Sequence, residues 1–161
     1  DLPRWGASLD RKTLSIRFKA PEVLFDAAQV TLKERFKEII ADFFPRYIEV
    51  LRRFQKNIAE VRIEGHTSSE WAETSSRDEA YFKNMKLSQG RTREVLAYSL
   101  SLPSVETRKA WIIKKLTANG LSSSQVIIEN GSEDQDLSRR VEFRVRTNAK
   151  QQMVRILETT R

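Results

Sequence analysis

Three segments of the chain alternate apolar and polar residues with a period of two. Leu14, Ile16 and Phe18 oppose Ser15, Arg17 and Lys19; Ala59, Val61 and Ile63 oppose Glu60, Arg62 and Glu64; Val141, Phe143 and Val145 oppose Glu142, Arg144 and Arg146. This alternation puts each set on its own side of a strand. It predicts a sheet with an apolar face for a core and a charged face turned mostly to solvent. Val126-Ile127-Ile128 is a fourth, shorter candidate, whose unbroken apolar run suggests a strand buried on both sides or an inner edge. Helical spacing lies between the strands. From Leu32, apolar residues recur every three or four positions through Phe36, Ile39, Ile40, Phe43, Tyr47, Ile48 and Leu51, a wide amphipathic stripe. Pro45 interrupts it: its ring clashes with the carbonyl of Ala41 and disfavours helical geometry at Phe44, so a kink or break is predicted there. A second helix is predicted over roughly 87–101. A third starts at Pro103 with Ser104 as N-cap and Glu106 in its first turn, and stops at Asn119-Gly120. Turn-forming composition over 129–138 predicts an exposed loop, and Met153, Ile156 and Leu157 a short C-terminal helix.

Strands alternating with helices read as an α/β (α+β) two-layer sandwich: a mixed four-stranded sheet with helices on one face, in the order β-α-β-α-(α)-β-β. A right-handed crossover makes the first two strands parallel if they are sheet neighbours. No internal repeat is present. The 161 residues suit one domain, residues 1–161, large enough to bury a core without metals or disulfides. With 39% hydrophobic and 32% charged residues, five Gly and four Pro, the composition is lean but globular. No apolar run approaches the ~20 residues that cross a bilayer. The start Asp1-Leu2-Pro3-Arg4-Trp5 carries neither an initiator Met nor a signal-peptide h-region, and is read as the beginning of a soluble piece of something longer.

Charge and residue inventory narrow the chemistry. Lys+Arg 29 against Asp+Glu 22 gives a net +7, which implies an anionic partner without naming it. The absence of Cys excludes thiolate metal sites and Cys nucleophiles, and one histidine, His66, excludes a His-rich metal site. Three places remain. Gly65-His66-Thr67-Ser68-Ser69 leaves the second strand as a sharp turn whose hydroxyls can bond backbone or a ligand; an ordinary strand exit has the same composition. Arg91 shares the stripe of Leu87, Val95, Tyr98 and Leu102 near a helix start, where a guanidinium must reach water or an anion. Asn84 and Ser88 converge with it if the helix extends back that far, and the fork geometry and helix dipole favour a carboxylate or phosphate. Equally, Arg91 can pair with Glu64 or Glu142, or lay its stem on apolar surface. Arg139-Arg140 opens the last strand, either as solvated charge or as part of a positive patch near the turn.

These stretches resemble the OmpA C-terminal-like family, the OmpA/MotB type of peptidoglycan-binding domain. The family pattern is Gly-His-Thr-Asp at a strand end, Asn-x-x-Leu-Ser-x-x-Arg-Ala opening a helix, and Asn-Arg-Arg-Val-Glu at the last strand. Here they read Gly65-His66-Thr67-Ser68, then Asn84-Met85-Lys86-Leu87-Ser88-Gln89-Gly90-Arg91-Thr92, then Ser138-Arg139-Arg140-Val141-Glu142. The resemblance covers about 14–145 and leaves 1–12 and 148–161 as flanking segments. It implies noncatalytic binding of the diaminopimelate-containing stem peptide of peptidoglycan, with ligand-binding residues Thr67, Ser68, Asn84, Leu87, Ser88, Arg91, Arg139 and Arg140. Arg91 would clamp a diaminopimelate carboxylate. The chain departs from the family where Ser68 replaces the aspartate that receives the ligand amine, so Glu70 is a candidate substitute or binding is altered. Segment 69–83, with Trp71 and Tyr81-Phe82, is a candidate lid or short helix beside the site.

The resemblance further implies a periplasmic domain of the Gram-negative envelope whose full-length protein is membrane-anchored, with a homodimer compatible with the stator branch. A transmembrane helix before Asp1 would make the domain the wall anchor of a membrane complex; a lipoprotein signal or a β-barrel would make it an outer-membrane tether. No catalytic residue, metal or cofactor is expected. A second reading, a basic nucleic-acid-binding module, rests on Arg17, Lys19, Arg62, Arg144 and Arg146 at outward strand positions. Against it, Glu60, Glu64 and Glu142 interleave with those bases, and nucleic acid is not expected. For an enzyme, no paired-carboxylate, metal or nucleophile constellation is specific, and His66 with Ser68 or Ser69 lacks a compelling acid partner.

Overall fold

The computed structural model describes residues 1–19 and 21–160. Its strands are β1 (Ala7–Asp10), β2 (Ser15–Phe18), β3 (Ile58–His66), β4 (Leu116–Gly120), β5 (Ile128–Glu129), β6 (Ser132–Glu133) and β7 (Arg140–Thr147). Its helices are α1 (Pro21–Leu24), α2 (Glu34–Arg53), α3 (Arg77–Ser101), α4 (Lys109–Lys115), α5 (Gln135–Ser138) and α6 (Ala149–Thr159). The main sheet is five-stranded and mixed, in the order β1-β2-β7-β3-β4. The β3–β4 pair is parallel and the others antiparallel.

The alternating pattern of the three predicted strands fixes the inner face. Phe18, Val61, Ile63, Val141 and Phe143 are buried there against the apolar stripe of α2 and against Val95 of α3. Phe143 is the hub, packed edge-on against Phe18, Phe43 and Tyr47. α2 runs through Pro45 without a break. A proline inside a helix costs roughly 3 kcal/mol, whereas eight buried side chains on either side of Pro45 tie both halves to one core, each contributing about 1.5–3 kcal/mol.

The α/β sandwich stands, with corrections to its parts. The fourth strand of the main sheet is not Val126–Ile128 but β4, which the Asn119-Gly120 stop signal disguised as a helix end. Ile128 instead opens a two-stranded hairpin, β5-β6, turning on Asn130 (φ 51°) and Gly131 (φ 82°). Asn-Gly is the strongest short-range hairpin signal, and both residues tolerate the left-handed geometry of such a turn. The segment 129–138 is thus a hairpin followed by α5, whose Asp134 side chain caps Leu137 N–H. A fifth strand, β1, lies in the N-terminal stretch outside the family resemblance. The first two predicted strands are not neighbours: β7 lies between β2 and β3, antiparallel to both, so those two run in the same direction. The helix expected over 87–101 begins at Arg77, where the Ser76 hydroxyl accepts from Glu79 N–H. The third helix is a 3₁₀ turn, Pro103–Arg108, leading into α4, with no side-chain cap from Ser104. α6 forms as expected, with none of its residues buried. No helix among the described residues is long and apolar enough to cross a membrane.

Two glycines bring α3 down onto the ends of β3 and β4. Gly65 and Gly120 are paired in register. A Cβ on Gly120 would lie 2.3 Å from Gln89 N, and one on Gly65 2.9 Å from the Ser88 carbonyl oxygen. The neighbour in each case is helix backbone, which cannot yield without moving α3. Gly120→Ala is therefore expected to cost about 2–3 kcal/mol, the range for overpacking a well-fitted core, read as a lowered urea midpoint; an unchanged midpoint contradicts the close approach. The same geometry accommodates Thr92, where the family carries Ala: its methyl packs over Gly65 and its hydroxyl donates to the Ser88 carbonyl.

Candidate functional site

The ends of β3 and β7, the first half of α3 and the segment after α1 enclose a cavity of about 660 Å³. Its wall includes Thr67, Ser68, Asn84, Leu87, Arg91 and Arg139, six of the eight residues singled out in the sequence. Asn84, Leu87 and Arg91 share one side of α3, three and four residues apart, as helical periodicity requires. Asn84 is buried and donates through Nδ2 to the carbonyls of Ser68 (3.2 Å) and Glu70 (2.9 Å), pinning the chain that leaves β3. Glu133 holds the same segment from the hairpin by accepting from Ser69 N–H and its hydroxyl. Thr67 Oγ1 is buried with no hydrogen-bond partner, an unmet polar group behind the cavity wall.

Arg91 has neither of the carboxylate partners considered for it. Nε donates to the Gln29 carbonyl (2.8 Å) and Nη2 to the Asp26 carbonyl (3.0 Å), while the guanidinium lies 4.6 Å from the centre of the Phe25 ring. Between those carbonyls Ala28 sits at φ 57°, a left-handed conformation that is costly for a residue with a Cβ. Arg91 thus staples a strained turn and presents an unneutralised charge to the cavity. Burial, helped by the nearby Arg139 charge, pushes its pKa down to about 10, so it remains a cation at neutral pH. Arg139 donates Nε to Ser68 Oγ (3.3 Å) and stands 3.8 Å from Glu70 and 3.7 Å from Asp136. The cavity therefore offers two guanidiniums, two nearby carboxylates and an apolar floor of Phe25, Leu87 and Trp71.

The other two sequence candidates are not on the wall of this cavity; they line a small void of about 10 Å³ that shares Phe25, Arg91 and Arg139 with it. Ser88 is structural: its Oγ donates to the Met85 carbonyl and accepts from Ser122 N–H, joining α3 to the exit of β4. Arg140 points to the opposite face of the sheet, because neighbours along a strand alternate. There it is buried, bonded to Glu142 and to the carbonyls of Ser138 and Gln125. Phe25, Ala27, Ala28 and Asp136 are wall residues the sequence reading missed. Residues 25–28 carry no periodic pattern, and Asp136 lay in apparent loop composition. Trp71 does line the cavity, from irregular chain before α3, whereas Tyr81 and Phe82 belong to α3 and are absent from the wall.

The charged face of the sheet is not the open surface expected of it. Glu64 and Glu142 are directly opposed across β3 and β7 and fully buried, a costly like-charge pairing. Arg17, Arg140 and Arg144 compensate Glu142, and Arg144 also lies 3.2 Å from Glu64. Arg62 and Arg146 both pair with Glu60. The four arginines behind the nucleic-acid reading are thus held in ion pairs within the fold. His66 Nε2 lies 3.5 Å from Glu64 and 3.6 Å from Glu142. Its ring is enclosed beside these carboxylates and is not on the wall of the large cavity, and neither ring nitrogen bonds Ser68 or Ser69, whose hydroxyls are engaged by Arg139 and Glu133.

This cluster has a pH consequence. Burial holds the His66 pKa below its ordinary value, although the flanking carboxylates oppose the shift. Burial alone would raise the Glu142 pKa, but Arg140 and its neighbours bring it below the ordinary carboxylate value. In both cases the unfolded chain binds protons more readily, so stability rises with pH. The His66 contribution is present above the ordinary imidazole range, near 6.5, and fades as pH falls below it; that of Glu142 is lost lower, through the carboxylate range. His66→Gln is expected to flatten the denaturation midpoint between pH 7.5 and 5.5 relative to wild type; an unaltered slope contradicts this assignment.

Fold and site together define a domain of the OmpA/MotB periplasmic type. No family model matches the chain. The chain belongs to the family of the Zorya protein ZorB: it is 49% identical over 159 residues to ZorB of Escherichia coli (strain ATCC 8739), an alignment spanning 98% of this chain and 68% of that protein. Among solved structures it is similar to a MotB-like protein from Desulfovibrio vulgaris, with a TM-score of 0.57 and 27% identity over 88% of this chain and 80% of the other. The periplasmic domain of Helicobacter pylori MotB shares the fold, with a TM-score of 0.61 and 17% identity over 99% of this chain and 93% of that domain.

Proposed function

We propose that this chain is a noncatalytic anchor that grips the stem peptide of peptidoglycan in the periplasm and ties a membrane complex to the cell wall. The observation that carries the reading is the Arg91 guanidinium, desolvated at a cavity wall without a carboxylate partner among the described residues. A partly desolvated cation without a counter-ion gains from an anionic partner, and a ligand carboxylate meets its remaining hydrogen-bonding capacity in fork geometry. Thr67 and Arg139 supply further donors. Ser68 carries no charge for a ligand ammonium; Glu70 and Asp136, held loosely against Arg139, supply it instead. The two charge signs suit the zwitterionic end of a diaminopimelate side chain, and Leu87, Phe25 and Trp71 suit its methylenes. Arg140 and Ser88 support the site from behind. The test is retention of the chain on purified peptidoglycan sacculi: co-sedimentation competed by a soluble diaminopimelate-containing tripeptide supports the reading, and absence of co-sedimentation refutes it.

A further inference from the structure

The net charge of +7 is distributed unevenly. On the outer sheet face five arginines (17, 62, 140, 144 and 146) meet Asp10, Glu60, Glu64 and Glu142. At the cavity, Arg91 and Arg139 are matched by Glu70 and Asp136. The end of the molecule away from the cavity is different. β3 runs from that end to the cavity over nine residues, about 30 Å at strand rise. Backbone and side-chain bonds gather several elements there: Lys115 Nζ donates to the Ile58 carbonyl, Asn148 N–H to that of Asn57, and Asn148 Nδ2 to that of Lys56. This pole therefore collects Arg52, Arg53, Lys56, Lys114, Lys115 and Lys150, none of which pairs with a carboxylate among the described residues. Its acids Glu49 and Glu60 are already engaged by Arg108, and by Arg62 and Arg146.

The same pole exposes apolar side chains. Phe54 and Ile113 are 59% and 64% accessible beside these bases. From it projects α6, whose Met153, Ile156 and Leu157 fall on one side at helical spacing and are 59%, 57% and 62% accessible. Lys150 borders that stripe, while Arg155 and Glu158 lie on the opposite side.

We infer that this pole is a docking surface for an anionic phospholipid bilayer. Basic side chains neutralise headgroup phosphates, and an amphipathic helix with its apolar stripe unburied is suited to lie at headgroup depth. An acidic protein would satisfy the charge but would leave the exposed apolar stripe without a reason. The assignment is independent of the wall reading: cavity and pole occupy opposite ends, so one can engage the wall while the other rests on lipid.

Co-sedimentation of the 161-residue chain with vesicles tests it. Binding is expected to vesicles of phosphatidylglycerol mixed with phosphatidylcholine, not to phosphatidylcholine alone, and to fall with added salt. Combining Arg53→Glu, Lys56→Glu and Lys114→Glu is expected to lower partition about a hundredfold, at roughly a tenfold or smaller factor per base removed or reversed. Arg77→Glu, Lys86→Glu and Arg93→Glu, an equal charge change on exposed positions of α3, is expected to lower it far less. Ile156→Asp with Leu157→Asp should abolish the part of binding that resists salt. Circular dichroism checks that each exposed variant folds. Lack of binding to the mixed vesicles, equal loss in both charge-reversed triples, or tighter binding to polyglutamate than to the vesicles would overturn the proposal, the last by assigning the pole to an acidic protein.

Discussion

Replacing Arg91 with alanine is expected to weaken binding of a diaminopimelate-containing stem peptide roughly thirtyfold, about 2 kcal/mol, the loss typical of a charge-assisted pair in a desolvated setting. Two consequences of the substitution must be separated. Nε and one terminal nitrogen are committed to the Gln29 and Asp26 carbonyls, so alanine also frees the strained turn at Ala28. That turn lines the cavity, and its loosening adds to the loss. Arg91→Lys keeps the charge but cannot reach both carbonyls and a ligand carboxylate at once, so an intermediate loss is expected. Calorimetric titration of the three proteins reads the order; wild-type affinity in the alanine variant would remove Arg91 from the binding machinery. Because Arg91 packs on Phe25 at the edge of the core and ties the turn 26–29 to α3, the melting temperature should also fall, so affinity is compared at temperatures where both proteins are folded.

The largest effect on stability is expected on the other side of the sheet. Glu142→Gln leaves the shape of the side chain almost unchanged but deletes the charge that Arg17, Arg140 and Arg144 share. Breaking a buried ion pair by removing one partner costs about 3–5 kcal/mol, since the remaining charge stays buried and unpaired. Arg140 is itself buried and cannot recover solvation by moving outward, whereas Arg17 and Arg144 are partly exposed. A loss near the lower end, about 3 kcal/mol, is therefore expected from chemical denaturation at neutral pH. A variant as stable as wild type would show that the guanidiniums are satisfied by water and backbone alone. Glu142 faces away from the cavity, so peptide affinity under folded conditions should change less than stability does.

The contrast between these two arginine environments shows what was legible in the sequence. Period-two alternation located β2, β3 and β7 and their inward residues, because burial of one face leaves a direct signature in residue order. It also placed Glu142, Arg144 and Arg146 on the outward face, but alternation says nothing about what covers that face, and Arg140 was assigned to the ligand instead of to it. A cluster of arginine stems closing over two opposed glutamates is a tertiary event. β1 and β4 were not legible for a related reason. Both are short, and the alternation in β4 is masked by Asn119-Gly120, whose glycine is required by the close approach of α3 rather than by a helix stop. Thr67, Ser68, Asn84, Leu87, Arg91 and Arg139 could be read because they recur at fixed spacing in three motifs. Phe25, Ala27 and Ala28 could not, since they enter the wall only when Arg91 folds the turn 26–29 over the cavity. Asp136 was concealed by its polar surroundings, although the Asn130-Gly131 hairpin signal just before it was available.

The proposed site for the stem peptide is the cavity beside Arg91, at the far end of β3 from the basic pole. Backbone amide shifts measured by NMR during titration with a diaminopimelate-containing tripeptide test that placement most directly. Shifts concentrated at Thr67, Ser68, Leu87, Arg91, Arg139 and the turn 26–29 are the expected result. Shifts confined to the outer sheet face or to the Lys56–Lys114 end, or no shifts at saturating peptide, would contradict it.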